Sequence, residues 1–396
     1  MKPEYVSDAL NHLSDEVIEE ADRVRTRARS PRGKWLPWAA AACLCLAVLG
    51  AAVLPRLGQQ EAPNGLPMLK IGMESAGMGF EGLIYYDFSE MANGNPWHEG
   101  MELAALPVFR NNSYSTAGIP HGLTQEEMEE RIQTAAQALG LVVASLKLDV
   151  EGSGGGDVPP GTITWITGYA GGVEIEADAN GTLTVDFDTK THDSLPLPEE
   201  YRFEYSGTTD QEVEVVLDYL IGQYAALLNF QQPQKAIFRD RNIYGDLDVD
   251  YRVYDAAGDD VEDLLNYSFR QADFAPDGEG NLMLIRLYDS LACAERLGDY
   301  PLISLEEARQ ALLEGQYITT VPYDFPGEEH VYGGELVYRG SPTEQFFIPY
   351  YRFYVDVSHE FPNWDGTELK NFGAYYVPAV EHQYLEPGWQ WDGSFN

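Results

Sequence analysis

Three stretches of the chain place apolar residues at helical spacing, and each begins with the same signature. The signature is Ser or Thr followed three positions later by Glu, and it occurs at Thr124–Glu127, Thr209–Glu212 and Ser304–Glu307. In this capping box the hydroxyl accepts a backbone N–H, and the glutamate accepts the N–H of the first residue. The pattern predicts three helices that begin here, and Gly140 and Gly315 are predicted to end the first and the third.

Runs of alternating apolar and polar residues follow each predicted helix and are typical of half-buried strands. The clearest hairpin alternates Val173, Ile175 and Ala177 with acidic residues and turns at Asn180-Gly181. Strands are predicted over 141–150, 162–168, 172–178, 182–188, 247–254, 281–288, 335–339, 345–357 and 373–380. This order of elements predicts an α+β fold of repeated units, in which one helix lies on a small antiparallel sheet.

The chain before these units contains one long apolar run. Residues 36–54 carry no charge, and at 1.5 Å per residue they approach the roughly 30 Å hydrocarbon thickness of a bilayer. Six basic residues lie between positions 23 and 34, whereas Arg56 alone follows the run closely. This asymmetry predicts a transmembrane helix over 35–55, with the N-terminus in the cytoplasm and the rest of the chain outside. Small residues near position 51 leave a cleaved signal peptide as the alternative.

A second helix is predicted before the membrane segment. Ser14 can cap it, acidic residues fill its first turn, and Val17, Ile18 and Val24 belong to a narrow apolar stripe. One interpretation is that residues 14–29 bind a cytoplasmic partner, as anti-sigma factors do. The other is a juxtamembrane segment that sets topology alone. The segment has no Cys and His cluster of the kind that an anti-sigma zinc module needs.

These patterns divide the chain into seven predicted parts, of which the last three are the α+β units. The parts are a cytoplasmic helix and basic run at 1–34, the transmembrane helix at 35–55, a linker at 56–67, an ectodomain leader at 68–122, and units at 123–200, 201–300 and 301–396.

The acidic composition of the chain excludes some classes of binding partner. Asp and Glu number 64 against 25 Lys and Arg, which gives a net charge of −39. Such a surface repels nucleic acid and anionic lipid, so no nucleic-acid partner is expected. Of the three cysteines, Cys43 and Cys45 lie in the apolar run and Cys293 stands alone beyond it. No disulfide can form within the predicted ectodomain, which favours a Gram-positive cell surface.

The residues that carry chemistry do not form a catalytic motif. The seven histidines include no His-Glu-x-x-His pair, and no Gly-x-Ser-x-Gly or phosphate-binding loop is present. Asp246, Asp248 and Asp250 alternate along one strand face, where they either bind calcium or face solvent; the spacing does not match an EF-hand loop. A second acidic cluster, at 255–263, is predicted to face solvent. We therefore predict no catalytic residue, no cofactor-binding residue, no metal ligand and no cofactor.

The densest aromatic stretch lies at 346–354. Alternation places Phe347, Tyr351 and Phe353 on one face and Phe346, Tyr350 and Tyr354 on the other. Two aromatic faces predict a strand buried on both sides. An exposed platform for sugar rings or a partner peptide is the alternative.

Several segments resemble known families. The helix-then-meander units resemble PepSY-type modules, which are extracytoplasmic inhibitory or regulatory units. Segments 303–308, 348–353 and 376–379 resemble the ectodomains of YycH/YycI-like regulators, single-pass regulators of a cell-wall-sensing kinase. The arginine-rich leader with its Ala/Cys/Leu-rich anchor, together with 77–82 and 95–97, resembles uncharacterised single-pass Gram-positive surface proteins. These resemblances imply a regulatory role.

The sequence thus predicts a non-catalytic, membrane-anchored extracytoplasmic binding or regulatory protein. Its predicted partners are the membrane, which it spans once, and a protein or cell-wall component bound by the ectodomain. Two alternatives stay open. One is an anti-sigma-like transmembrane signalling factor, which would bind a cytoplasmic protein through residues 14–29. The other is a surface glycan or peptide hydrolase, which would need a cleft of paired carboxylates.

Overall fold

The computed structural model describes residues 63–71, 82–91, 93–116, 118–152, 154, 158–190, 192–206, 209–242, 245–341, 343–360, 368–391 and 393. All of these belong to the unit Gln60–Asn396, and the other unit, Met1–Gln59, lies outside the described residues. The predicted cytoplasmic helix and the predicted membrane span at 35–55 are therefore also outside them. None of the helices that are described is long and apolar enough to cross a bilayer.

The described elements form an α+β fold with antiparallel sheets and few helices, which confirms the predicted class at that level. The strands are β1 (Gly82–Tyr85), β2 (Ala105–Asn111), β3 (Ser145–Val150), β4 (Ile163–Ala170), β5 (Val173–Asp178), β6 (Leu183–Asp186), β7 (Pro233–Lys235), β8 (Phe238–Arg241), β9 (Leu247–Asp255), β10 (Gln271–Pro276), β11 (Leu282–Leu287), β12 (Ala294–Pro301), β13 (Ile318–Thr319), β14 (Val331–Tyr338), β15 (Phe346–Phe347), β16 (Pro349–Asp356) and β17 (Lys370–Pro378). The α-helices are α1 (Gln125–Ala138), α2 (Asp210–Gln223), α3 (Ala225–Leu228), α4 (Asp260–Phe269) and α5 (Leu305–Leu313).

The three predicted capping boxes are confirmed, at the starts of α1, α2 and α5. In α1 the Thr124 N–H donates to Glu127 at 2.7 Å, and α2 and α5 repeat this bond. The bonds from Thr124 hold the pKa of Glu127 below its usual range. The predicted stops are also confirmed, because Gly140 and Gly315 have φ of 71° and 78°, which a glycine adopts without strain.

Nine strands form one large sheet, in the order β3-β4-β5-β6-β11-β10-β9-β7, with β8 paired to β9. Its centre joins two parts of the chain that were predicted as separate units, since β6 pairs with β11 through Val185 and Ile285. The predicted boundary at 200/201 therefore falls between strands of a single sheet. A hairpin with one apolar face is marginal alone, and the shared sheet lets α1 and α2 cover both hairpins in one core.

The helix α1 lies very close to the sheet. A Cβ on Gly168 of β4 would come within 2.4 Å of Ile132 Cγ2, so glycine at this position allows the approach. Met128 and Ile132 are fully buried in the core that α1, α2 and the sheet share.

Two further sheets bring the beginning and the end of the described chain together. The second sheet has the order β1-β17-β16-β14, with β13 on β17, and the third has the order β12-β2-β15. Strands β1 and β2 come from the segment 68–122, which was predicted as a leader, and β1 pairs with β17 through Gly82 and Gly373. The aromatic strand β16 is buried on both sides, as predicted: Tyr351 and Phe353 pack in one core and Tyr350 in another.

A buried ion pair joins β14 to β16. Glu335 accepts hydrogen bonds from Arg352 Nε at 3.0 Å and Asn95 Nδ2 at 2.7 Å, and also from the Tyr354 hydroxyl. The Glu335 and Arg352 side chains are 14% and 15% exposed. Burial alone raises the pKa of Glu335, but the Arg352 charge and these hydrogen bonds hold it below its usual range.

We predict that Glu335→Ala lowers the free energy of unfolding by about 3–5 kcal/mol, because Arg352 is left charged and buried without a counter-ion. Since the pKa of Glu335 is lower in the folded state, its contribution is present above the unfolded pKa of roughly 4.3 and is lost as pH falls through the folded value. Urea denaturation followed by circular dichroism measures both effects.

The matched control is Glu214→Ala, which removes a half-exposed carboxylate paired with Lys235. It should cost less than about 1 kcal/mol, because surface pairs contribute little. Equal losses for the two variants would contradict the structural role of Glu335.

Candidate functional site

A groove of about 1030 Å³ lies beside α1, between this helix, α3 and the ends of β10 and β11. Leu123 and Ala138 form part of its apolar wall on the α1 side, and Leu228, Phe230 and Leu287 form part of the opposite wall. A concavity that combines apolar side chains with fixed polar groups is a usual form of ligand site in proteins. This groove is the candidate functional site, and we call it the α1 groove.

One carboxylate fixes two arginines in the α1 groove. Asp289 accepts from Arg131 Nη2 at 3.1 Å and from Arg270 Nε at 3.4 Å. Arg131 also donates to the Gly181 carbonyl at 2.9 Å, and Arg270 donates to Glu262 at 2.8 Å. Both guanidinium groups are therefore held in place by oxygens of the protein itself.

A second concavity, of about 620 Å³, continues from Arg270 to the third sheet. It lies between α4 and β2, and its lining includes Phe109, Leu265 and Arg296. This second concavity lies at the boundary between α4 and the third sheet, and it shares Arg270 with the α1 groove; we call the two concavities together the seam. Ligand sites occur preferentially at such internal boundaries.

The lining of the seam is acidic. Carboxylates outnumber guanidinium groups seven to three across the two concavities, and no lysine is among the lining residues. The carboxylates are Glu127, Glu130, Asp255, Asp259, Glu262, Asp289 and Asp299. An apolar surface with this rim is complementary to a segment that carries both apolar side chains and positive charge.

A second acidic surface lies on the large sheet, on the face opposite α1 and α2. Along β5 and β6 the residues Glu174, Glu176, Asp178 and Asp186 stay partly exposed, and Glu174 stands directly opposite Asp186. Partial burial raises the pKa of Glu176, and the neighbouring charge of Asp178 raises it further. The pKa of Asp178 and that of Asp186 are also raised, chiefly by burial. Burial is the largest cause of all three raised pKa values, and like charges add to it at Glu176 and Asp186.

The alternating aspartates predicted on one strand face are engaged locally. Asp248 accepts from the Ser206 hydroxyl, Asp250 pairs with Arg252, and Asp246 accepts a hydrogen bond from Asn242 at 3.2 Å. Among the described residues no group of three or more His, Cys, Asp or Glu is arranged to hold a metal ion.

The second acidic cluster contains a helix start that sequence reasoning missed. Asp259 caps α4 by accepting the N–H groups of Val261 and Glu262, at 3.1 and 3.0 Å. The spacing of Asp259 and Glu262 before Leu264 and Leu265 was the available signal, since Asp is a strong N-cap residue. This helix carries Arg270 at its end and so forms one wall of the seam.

Comparison with known proteins gives no family. Neither a search of protein-family models nor a search of curated proteins finds a match to this sequence. The resemblances to regulatory modules stay predictions.

We predict that Glu176→Gln stabilises the protein at pH 7 by about 0.5 kcal/mol, because it removes a half-buried charge that also lies beside other carboxylates. A carboxyl group with a raised folded pKa binds its proton more readily in the folded state, so the wild type gains stability as pH falls from 7 towards the unfolded value of roughly 4.3. The advantage of the variant should therefore disappear at pH 4. Thermal unfolding between pH 4 and pH 8 measures it.

Glu279→Gln is the control, because Glu279 is exposed in the turn after β10. If both variants gain the same stability, the effect arises from the net charge of the protein and not from the position of Glu176 on the sheet face.

Proposed function

We propose that the described part of the chain is a non-catalytic binding module that recognises a cationic, apolar segment of a partner protein in the α1 groove. The observation that carries this proposal is the lining of the groove, which combines apolar side chains with four carboxylates and two arginines. The surplus carboxylates attract positive charge over several ångströms, and the apolar side chains then contribute affinity through burial of apolar surface.

The ion pairs of the two groove arginines support a binding role over a catalytic one. Asp289 holds both Arg131 and Arg270, so these groups shape the groove. A lysine or arginine of the partner would contact the groove carboxylates that do not bind these arginines. Of these, Glu130 is exposed, and Asp255 is held in place by two backbone N–H groups. Recognition of a peptide in this way needs no cofactor and no covalent step.

We also propose that residues 35–55 anchor this module in the cell membrane, with residues 1–34 in the cytoplasm and residues from about 56 outside. The uncharged run and the basic residues before it support this placement. We further interpret α1, α2 and α5, with their common capping boxes, as marks of a repeated helix-plus-sheet unit.

The groove is tested with a synthetic peptide of alternating leucine and lysine, eight residues long, and a matched peptide of leucine and glutamate. Fluorescence anisotropy with the full chain in phosphatidylcholine nanodiscs should show saturable, salt-sensitive binding of the lysine peptide alone. We predict that Glu130→Lys weakens this binding about fivefold, because it replaces an attractive charge in the rim with a repulsive one.

Glu126→Lys is the matched control, since Glu126 is exposed on the same helix and does not line the groove. It should leave the affinity within about twofold of the wild type. Equal binding of both peptides, or equal weakening by both variants, would exclude the groove as the recognition site.

The anchor is tested by protease treatment of intact Gram-positive cells that express the chain with an N-terminal epitope tag. We predict that the region beyond residue 56 is digested while the tag stays protected, because the membrane separates them. Recovery of the protein in the medium with a new N-terminus near residue 51 would show a cleaved signal peptide instead.

A further inference from the structure

Strand β3 forms one edge of the large sheet, and its outer side has no partner strand among the described residues. It pairs with β4 and with no other strand that the structure describes. Leu148 and Val150 of this strand are 39% and 50% exposed. An open edge that displays apolar side chains is a site where another strand can add to the sheet.

The hydrogen bonds of β4 determine which residues of β3 face outward. Ala179 N–H donates to the Thr164 carbonyl, so the even-numbered residues of β4 bond to β5. Backbone bonds alternate along an antiparallel strand, so Trp165 and Thr167 face β3, where they pair with Asp149 and Lys147. The Thr164 hydroxyl reaches the Asp149 carbonyl at 3.2 Å, in agreement with this direction. The N–H and C=O groups of the even-numbered β3 residues consequently point away from the sheet.

We propose that this edge pairs with β3 of a second copy of the chain, antiparallel and about a two-fold axis through Leu148. In this register Leu148 faces Leu148 of the second copy, and Leu146 faces Val150. On the other face of the sheet, Lys147 of each copy stands opposite Asp149 of the other. The outward backbone groups of the three apolar residues form the hydrogen bonds of the new ladder.

Charge complementarity favours this register over those with an axis through residue 147, 149 or 150. An axis through Lys147 would place two lysines opposite each other, and one through Asp149 would place two aspartates opposite each other. An axis through Val150 would set Asp149 against Glu151. Lysine on an edge strand usually prevents pairing. Here Lys147 Nζ already contacts Asp149 of its own strand at 2.7 Å, and in this register Asp149 of the second copy also stands opposite it.

The surrounding elements leave room for the second copy. Helix α1 packs over β4 and β5, one strand in from the edge. With strands roughly 4.8 Å apart, the two α1 helices of the dimer would lie roughly 15–20 Å apart on the same side of a continuous sheet. The pairing of two six-residue strands is a small interface, so we expect a dissociation constant of about 1–100 µM.

The proposal is tested by co-purification of two differently tagged copies of the full chain in non-ionic detergent. Lys147→Glu sets Glu against Asp149 of the second copy, and Asp149→Lys sets Lys against Lys147. Each variant should therefore associate with itself at least tenfold more weakly than the wild type. When the two variants are mixed, both cross-strand pairs regain opposite charges, and association should return to within about threefold of the wild type.

Two controls separate this contact from other effects. Lys190→Glu changes the net charge by the same amount at an exposed position outside the strand, and it should leave association unchanged. Leu148→Pro removes an outward N–H without breaking a bond to β4, and it should abolish association. Association that does not respond to the Lys147 and Asp149 variants would arise elsewhere, for example in the apolar run at 36–54, and would overturn the proposal. A wild-type chain that stays monomeric at about 100 µM would overturn it as well. The result is independent of the α1 groove, which the dimer does not use.

Discussion

Burial of one face of the large sheet under α1 and α2 is the contact on which the rest of the structure depends. The sheet combines hairpins from two distant parts of the chain, and its apolar residues on that face meet the apolar stripes of both helices in one core. Strand β3 lies at the edge of this sheet, one strand beyond those that α1 covers. The space between α1 and α3 forms the α1 groove.

The large excess of acidic residues governs the chemistry of the surfaces that remain. Several of the arginines are engaged in internal pairs, as Arg131 and Arg270 are with Asp289 and Arg352 is with Glu335. Carboxylates in surplus then occupy the groove rim and the exposed strands β5 and β6, where partial burial and like charges raise the pKa of Glu176. Two surfaces of the same molecule are therefore complementary to positive charge for one reason, namely that the chain has few cations left to neutralise them.

Local features of the fold follow from the sequence, whereas its long-range pairings do not. Capping boxes, glycine stops and the Asn180-Gly181 hairpin depend on residues within four positions of one another, and the structure confirms each of them. The pairing of β6 with β11 and of β1 with β17 depends on segments about 100 to 290 residues apart, for which a single sequence has no signal. The α1 groove shares this limit, because its walls come from several separate segments. By contrast, α4 has a local signal in the sequence, because its Asp259 cap stands directly before the helix.

Helix α1 connects the groove to the β3 edge, and its rigidity determines whether binding at one site affects binding at the other. Helix α1 is fixed by its capping box at one end and by the close contact of Ile132 with Gly168 in its middle. At the other end Leu141 N–H bonds to the Ala136 carbonyl and Gly140 N–H to the Gln137 carbonyl, which is a closed helix terminus directly before β3. Coupling between two sites requires an element with two arrangements that each ligand favours differently. Since α1 is held at three points along its length, we expect the proposed peptide and the proposed second copy to bind with independent free energies.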